Sequence, residues 1–88
     1  MINIKPDVLK FLKELPPKQY KQIAQRILSL GNEEPHDSRH LSGYPGCFRI
    51  DVGEYRVIYT RKDNAVLVPL VGKRNGDEVY RDLKNSNL

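Results

Sequence analysis

The chain of 88 residues has a single cysteine, a single methionine and no tryptophan. One cysteine excludes an internal disulfide and fits a reducing compartment, so the cytoplasm is the expected location. Cysteine-based metal motifs are excluded for the same reason. His36 and His40, with Asp37 between them, lack the further ligand that a zinc site needs, and no metal or other cofactor is expected. No apolar run approaches the roughly 18–20 residues that cross a bilayer, so no membrane segment is expected. The opening MINIKPDVLK puts Pro, Asp and Lys where a signal peptide would carry its apolar stretch. Repeats, low-complexity tracts and linker-like segments are also missing, which leaves one domain over residues 1–88.

What is present reads as a small globular domain. Hydrophobic residues make up 39% and charged residues 30% of the chain. A domain of this size buries only roughly 60–65% of its unfolded surface, so its stability is sensitive to single core changes. The net charge of +4 favours an anionic partner, nucleic acid or an acidic protein. A soluble surface accounts for the same charge, so composition alone does not choose.

Met1 to Lys5 is a short strand candidate with Ile2 and Ile4 on one face. Pro6 and Asp7 suit a helix start, one through its fixed φ and the other through the helix dipole. Val8, Phe11, Leu12 and Leu15 then form one apolar stripe at helical spacing. Pro16-Pro17 ends that helix and opens the next, whose stripe is Tyr20, Ile23, Ala24, Ile27 and Leu28. Gly31 is a C-terminal stop. The two form a helical hairpin with one side to bury and basic, solvated outer faces.

Residues 32–46 read as a loop, with Leu41 anchoring it on the core. Cys47 to Val52 and Tyr55 to Thr60 predict a hairpin, and Ala65 to Val71 a third strand that is apolar on both faces. Pro69 conflicts with full pairing there and predicts a bulge or a missing ladder bond. Asn75 or Asp77 can cap a last short helix carrying Val79, Tyr80 and Leu83. The expected fold is α+β: a small antiparallel sheet packed against an N-terminal helical hairpin, in the order β-α-α-β-β-β-α.

Strand alternation puts Arg49 and Asp51 on one face of the first hairpin strand and Phe48, Ile50 and Val52 on the other. Arg56 follows on the next strand, and Arg74 and Tyr80 come at and after the end of the third. Three arginines, an acid and a tyrosine can thus gather on one side of the sheet, a constellation suited to gripping and cutting a phosphodiester. Blander readings apply to each. Arg49 can pair with Asp51 or Glu54 as a surface salt bridge contributing about 0–1 kcal/mol. Arg56 can be a solvated strand residue, and Tyr80 can be core packing. Tyr55 and Tyr59 read as core, and Cys47 as a small buried side chain.

Two stretches carry a family resemblance: LSGYPGCFRIDVGEYRVIY from Leu41 to Tyr59, and VGKRNGDEVY from Val71 to Tyr80. With the order of elements, they resemble the RelE/ParE superfamily of toxins from type II toxin–antitoxin systems, over nearly the whole chain. The first stretch is similar to the superfamily broadly, including members that poison gyrase. The second resembles the RelE branch. That resemblance implies a ribosome-dependent endonuclease that cuts mRNA in the ribosomal A site and inhibits translation. It also implies a cognate antitoxin that blocks the toxin, and through which the complex binds operator DNA. Arg49 matches a basic position on the first hairpin strand, Arg56 the arginine of the second, Arg74 the strand-end arginine and Tyr80 the tyrosine of the last helix. Asp51 departs: the RelE branch has a lysine there in the role of general base.

The implied reaction needs no metal. The ribose 2′-OH attacks the adjacent phosphorus, giving a 2′,3′-cyclic phosphate and a free 5′-OH. It needs a base, positive charge on the transition state, an acid for the leaving oxygen and an in-line substrate. Arg56 would grip the scissile phosphate and Arg74 would stabilise developing charge or assist the leaving group. Tyr80 would stack on a base, and Arg49 would hold the backbone or orient the nucleophile. Asp51 would be the base, weakened because flanking arginines keep it ionised. Three other functions stay open: a ParE-like gyrase poison, a catalytically weak homologue acting through antitoxin binding and operon autoregulation, and a basic RNA-binding module without enzymatic activity.

Overall fold

A computed structural model describes residues 2–32, 35–63 and 65–74. Its elements are β1 (Ile2–Ile4), α1 (Pro6–Lys13), α2 (Pro17–Ser29), β2 (Arg39–His40), β3 (Cys47–Val52), β4 (Tyr55–Lys62) and β5 (Ala65–Lys73). The expected last helix, with Asn75, Asp77, Val79, Tyr80 and Leu83, lies outside the described residues.

Each helix begins on a proline, as the missing N–H and fixed φ at that position favour. Asp7 sits in the first turn of α1, and Lys10 and Lys13 in its last, all complementary to the helix dipole. The C-terminal end of α2 is closed from another element: Arg61 Nη2 donates to the Leu30 carbonyl at 2.8 Å. That bond satisfies an acceptor the helix itself leaves open. The apolar stripes bury Val8 and Leu12 from α1 and Ile23 and Ile27 from α2, whereas Tyr20 and Leu28, expected in the stripe of α2, stand at its edges and are exposed.

The five strands form one sheet in the order β1-β5-β4-β3-β2. The α+β class holds, with two differences from the expectation. The sheet is mixed: β1 runs parallel to β5, beside an antiparallel run of four strands. The helical hairpin makes this possible, because parallel neighbours need a long crossover between them. The loop over residues 32–46 also contains β2, two residues paired to β3.

Between β3 and β4 the turn is two residues long, with Gly53 at φ 59°. A primed hairpin turn of this kind requires positive φ, which glycine adopts without steric cost. On β5 the ladder to β4 slips between Ile58 and Thr60, opposite Val68 and Pro69. This is the irregularity that Pro69 predicts, since proline has no N–H to give the ladder.

The bulge also explains why Val66, Val68 and Val71 share a face despite their uneven spacing. They join Ile50, Val57 and Tyr59 against the two helices. The opposite face carries a second, smaller apolar cluster of Leu41, Cys47 and Ile58, with Tyr44 and Leu70 packed on it. Leu41 thus anchors its loop as expected. The rest of that second face is where the arginines stand.

Candidate functional site

Asp51 and Arg56 are directly opposite one another in the β3–β4 ladder, two residues from the turn on each side. Directly opposed strand residues share a face, so the pair forms from local register alone. The contact has two hydrogen bonds: Arg56 Nε donates to Asp51 Oδ1 at 2.8 Å, and Arg56 Nη2 to Oδ2 at 3.4 Å. Across β4, Arg56 faces Gly72 of β5, which presents no side chain.

Two more arginines approach the same carboxylate. Arg49 is two residues before Asp51 on β3, and its Nη1 lies 4.0 Å from Oδ2. Arg74 Nη1 lies 3.9 Å from Oδ2. Sequence separation does not place Arg74 there. A backbone bond does: its N–H donates to the Glu54 carbonyl in the β3–β4 turn at 2.9 Å. The end of β5 is thereby tied to the hairpin tip. Four of the five candidate residues, Arg49, Asp51, Arg56 and Arg74, are thus one group. Tyr80 lies outside the described residues.

The group is graded in exposure. The Arg56 side chain is 15% exposed and that of Arg74 47% exposed. Arg56 is consequently the held member, and Arg49 and Arg74 flank it through long contacts. Among the described residues, three guanidinium groups approach this one carboxylate. Such a cluster suits a second anion, and arginine's planar fork suits phosphate oxygens in particular.

The Asp51 carboxyl is held below its ordinary value of 3.8, chiefly by the Arg56 hydrogen bond. Partial burial opposes the shift, and the charges of Arg56, Arg49 and Arg74 add to it. A lowered folded pKa means that this stabilisation is present above the unfolded value and is lost as pH falls through the folded one. Asp51→Asn should therefore lower the urea midpoint at neutral pH, and the gap from wild type should close as pH drops below 3.8. Urea titrations of both proteins across that range measure it. A gap independent of pH would show that the charge on Asp51 contributes nothing.

Asp37, His40 and Cys47 stand apart from this group. Asp37 pairs with Arg26 of α2. The His40 ring lies against Phe48 at 4.5 Å, and Phe48 stacks on Tyr59 at 5.4 Å. Tyr59 is fully buried, with its hydroxyl 2.6 Å from that of Ser38. Cys47 is buried in the second cluster, and burial pushes its thiol up. Among the described residues no group of three or more His, Cys, Asp or Glu side chains is placed to hold a metal. A separate open groove of about 220 Å³ runs between Lys18, Gln19 and Gln22 of α2 and the β3–β4 turn, and none of the clustered arginines lines it.

Comparisons with known proteins agree with this architecture. Residues 2–78 match the family model described as the ParE toxin of a type II toxin–antitoxin system, parDE. A curated relative from Methanocaldococcus jannaschii, named as the toxin RelE1, is 30% identical over 81 residues, covering 85% of this chain and 90% of the relative. Among solved structures, a mutant of the E. coli toxin RelE in the free state aligns with a TM-score of 0.78 at 25% identity, over 99% of this chain and 97% of that one. The RelB–RelE antitoxin–toxin complex from Methanococcus jannaschii gives a TM-score of 0.69 at 20% identity, over 91% of this chain and 96% of the other. With the family model spanning almost the whole domain and RelE toxins sharing its fold, the chain belongs to the RelE/ParE superfamily of type II toxin–antitoxin toxins.

Proposed function

We propose that this toxin is a ribosome-dependent mRNA endonuclease that cuts in the A site and is restrained by a cognate antitoxin. The observation that supports it most is the convergence of Arg49, Arg56 and Arg74 on one point of the sheet face away from the helical hairpin. Cleavage by a 2′-OH asks a protein chiefly for positioning and for positive charge on the phosphorane-like transition state. Arg56, oriented by the two hydrogen bonds it donates to Asp51, grips the scissile phosphate. Arg74 stabilises charge on the leaving 5′-oxygen, which takes its proton from water, and Arg49 holds the adjoining backbone. Tyr80 stacks on a splayed base.

Asp51 takes the proton from the 2′-OH in this scheme, and it does so weakly. A carboxylate whose pKa is pushed down by three arginines is a poor base near neutral pH. Slow turnover is the expected consequence. The antitoxin follows from the relatives: the Methanococcus jannaschii structure is a complex of toxin with antitoxin. Its presence over the arginine cluster would block access to RNA.

A second reading rests on the family model, which is that of ParE toxins. On it, the chain is a gyrase poison. Two assays with the same protein preparation separate the readings. Cleavage of mRNA during translation, with gyrase supercoiling unaffected, supports the nuclease. Inhibited supercoiling with intact mRNA supports the gyrase poison.

A further inference from the structure

The two-residue strand β2 sets Arg39 directly opposite Arg49 across the β2–β3 ladder. Opposed residues of an antiparallel pair point to the same face, with Cβ atoms roughly 4.5–5.5 Å apart. Like charges in that relation repel and weaken the pairing. Among the described residues no acid relieves them at Arg39. Its Nη1 donates to the carbonyls of Ser38, at 3.1 Å, and His36, at 3.4 Å. Among the described residues it makes no ion pair, and its side chain is exposed. Asp51, the acid two residues along β3 from Arg49, is engaged by Arg56.

We propose that Arg39 is a binding residue for the phosphate backbone of single-stranded RNA, holding a phosphate next to the one gripped at Arg56. The proposal rests on the nuclease reading above and extends its site. β2, β3 and β4 are consecutive neighbours in the sheet, so Arg39, Arg49 and Arg56 step across three strands on one face. The backbone of Arg39 thus stands about 12 Å from that of Arg56, two strand spacings across and two residues along. A polyanion laid across the strands meets the arginines in turn. It also removes the repulsion between Arg39 and Arg49, since both then face phosphate. Contacts of this kind position the nucleic acid without reading its sequence.

A charge on β2 has a competing use, because charged side chains protect a sheet edge from pairing with other chains. Neutralising Arg39 distinguishes the two. In ribosome-dependent cleavage by the purified protein, Arg39→Ala should raise the half-saturating toxin concentration about three- to tenfold, more than it lowers the maximal rate. The salt dependence of that concentration should flatten by roughly one unit of log–log slope, the loss of one phosphate contact. Arg39→Lys should restore most of both. An edge-protecting charge would leave half-saturation and salt slope as in wild type while the wild type cuts, and that result overturns the proposal. If the wild type itself cuts no mRNA, the nuclease reading fails first. Binding of a fluorescent single-stranded RNA then decides on Arg39, and equal salt slopes for wild type and Arg39→Ala would overturn the proposal.

Discussion

Replacing Arg56 with alanine is expected to lower mRNA cleavage by about 10²–10³-fold, the usual loss when one preorganised donor to a developing anion is removed. Arg56 is the least exposed of the clustered arginines and has the shortest contact, 2.8 Å from Nε to Asp51. Its guanidinium is thus held in place before substrate arrives. Arg56→Lys keeps the charge and loses the planar fork, so it should fall between alanine and wild type. The alanine variant also leaves Asp51 without its hydrogen-bonded partner, which makes the local charge balance less favourable for RNA. Single-turnover cleavage rates, with folding checked by circular dichroism, measure the effect. A folded Arg56→Ala protein that cuts within about threefold of wild type would remove Arg56 from the mechanism, because even a modest transition-state contact contributes more than that.

The largest expected effect on stability lies on the other face of the sheet. Ile27 on α2 is completely buried among the residues that join the helical hairpin to the strands. Ile27→Ala should cost about 2–5 kcal/mol, combining lost transfer energy with the cavity left behind. In a domain this small that is a large part of the total stability, and a fall in Tm of at least roughly 10 °C follows. Its neighbour Leu28 is 65% exposed. Leu28→Ala removes a similar volume from water-facing surface and should stay within about 0.5 kcal/mol. Thermal melts of the two variants test the inward face of the helix directly. Equal losses would mean that α2 is rotated from the orientation described here.

Much of this arrangement was legible in the residues themselves. Period-two alternation separates Arg49 and Asp51 from Phe48, Ile50 and Val52, and the structure keeps that division. The centres of the helical stripes and the proline starts were equally local, as was the irregularity at Pro69, while Tyr20 and Leu28 fall at the exposed edges of the second stripe. Other features depend on tertiary geometry that no single stretch carries. The parallel pairing of β1 with β5 joins residues more than sixty positions apart. Strand β2 is too short for alternation to register, so Arg39 reads as a loop residue until its partner Arg49 is known. Arg74 reaches Asp51 because its own N–H is bound to Glu54, a contact invisible to side-chain pattern. Arg61 falls just beyond the strand predicted from Tyr55 to Thr60, and its bond to the end of α2 spans thirty-one positions.

The central claim is that the arginine cluster cuts mRNA on the ribosome. Primer extension on an mRNA translated in a purified system tests it, with wild type, with Arg74→Ala and with ribosomes omitted. The expected result is cuts within A-site codons that require ribosomes and are strongly reduced in the Arg74→Ala protein. Uncut mRNA with wild-type protein equimolar to ribosomes would contradict it, and so would cleavage that persists unchanged without ribosomes or without Arg74.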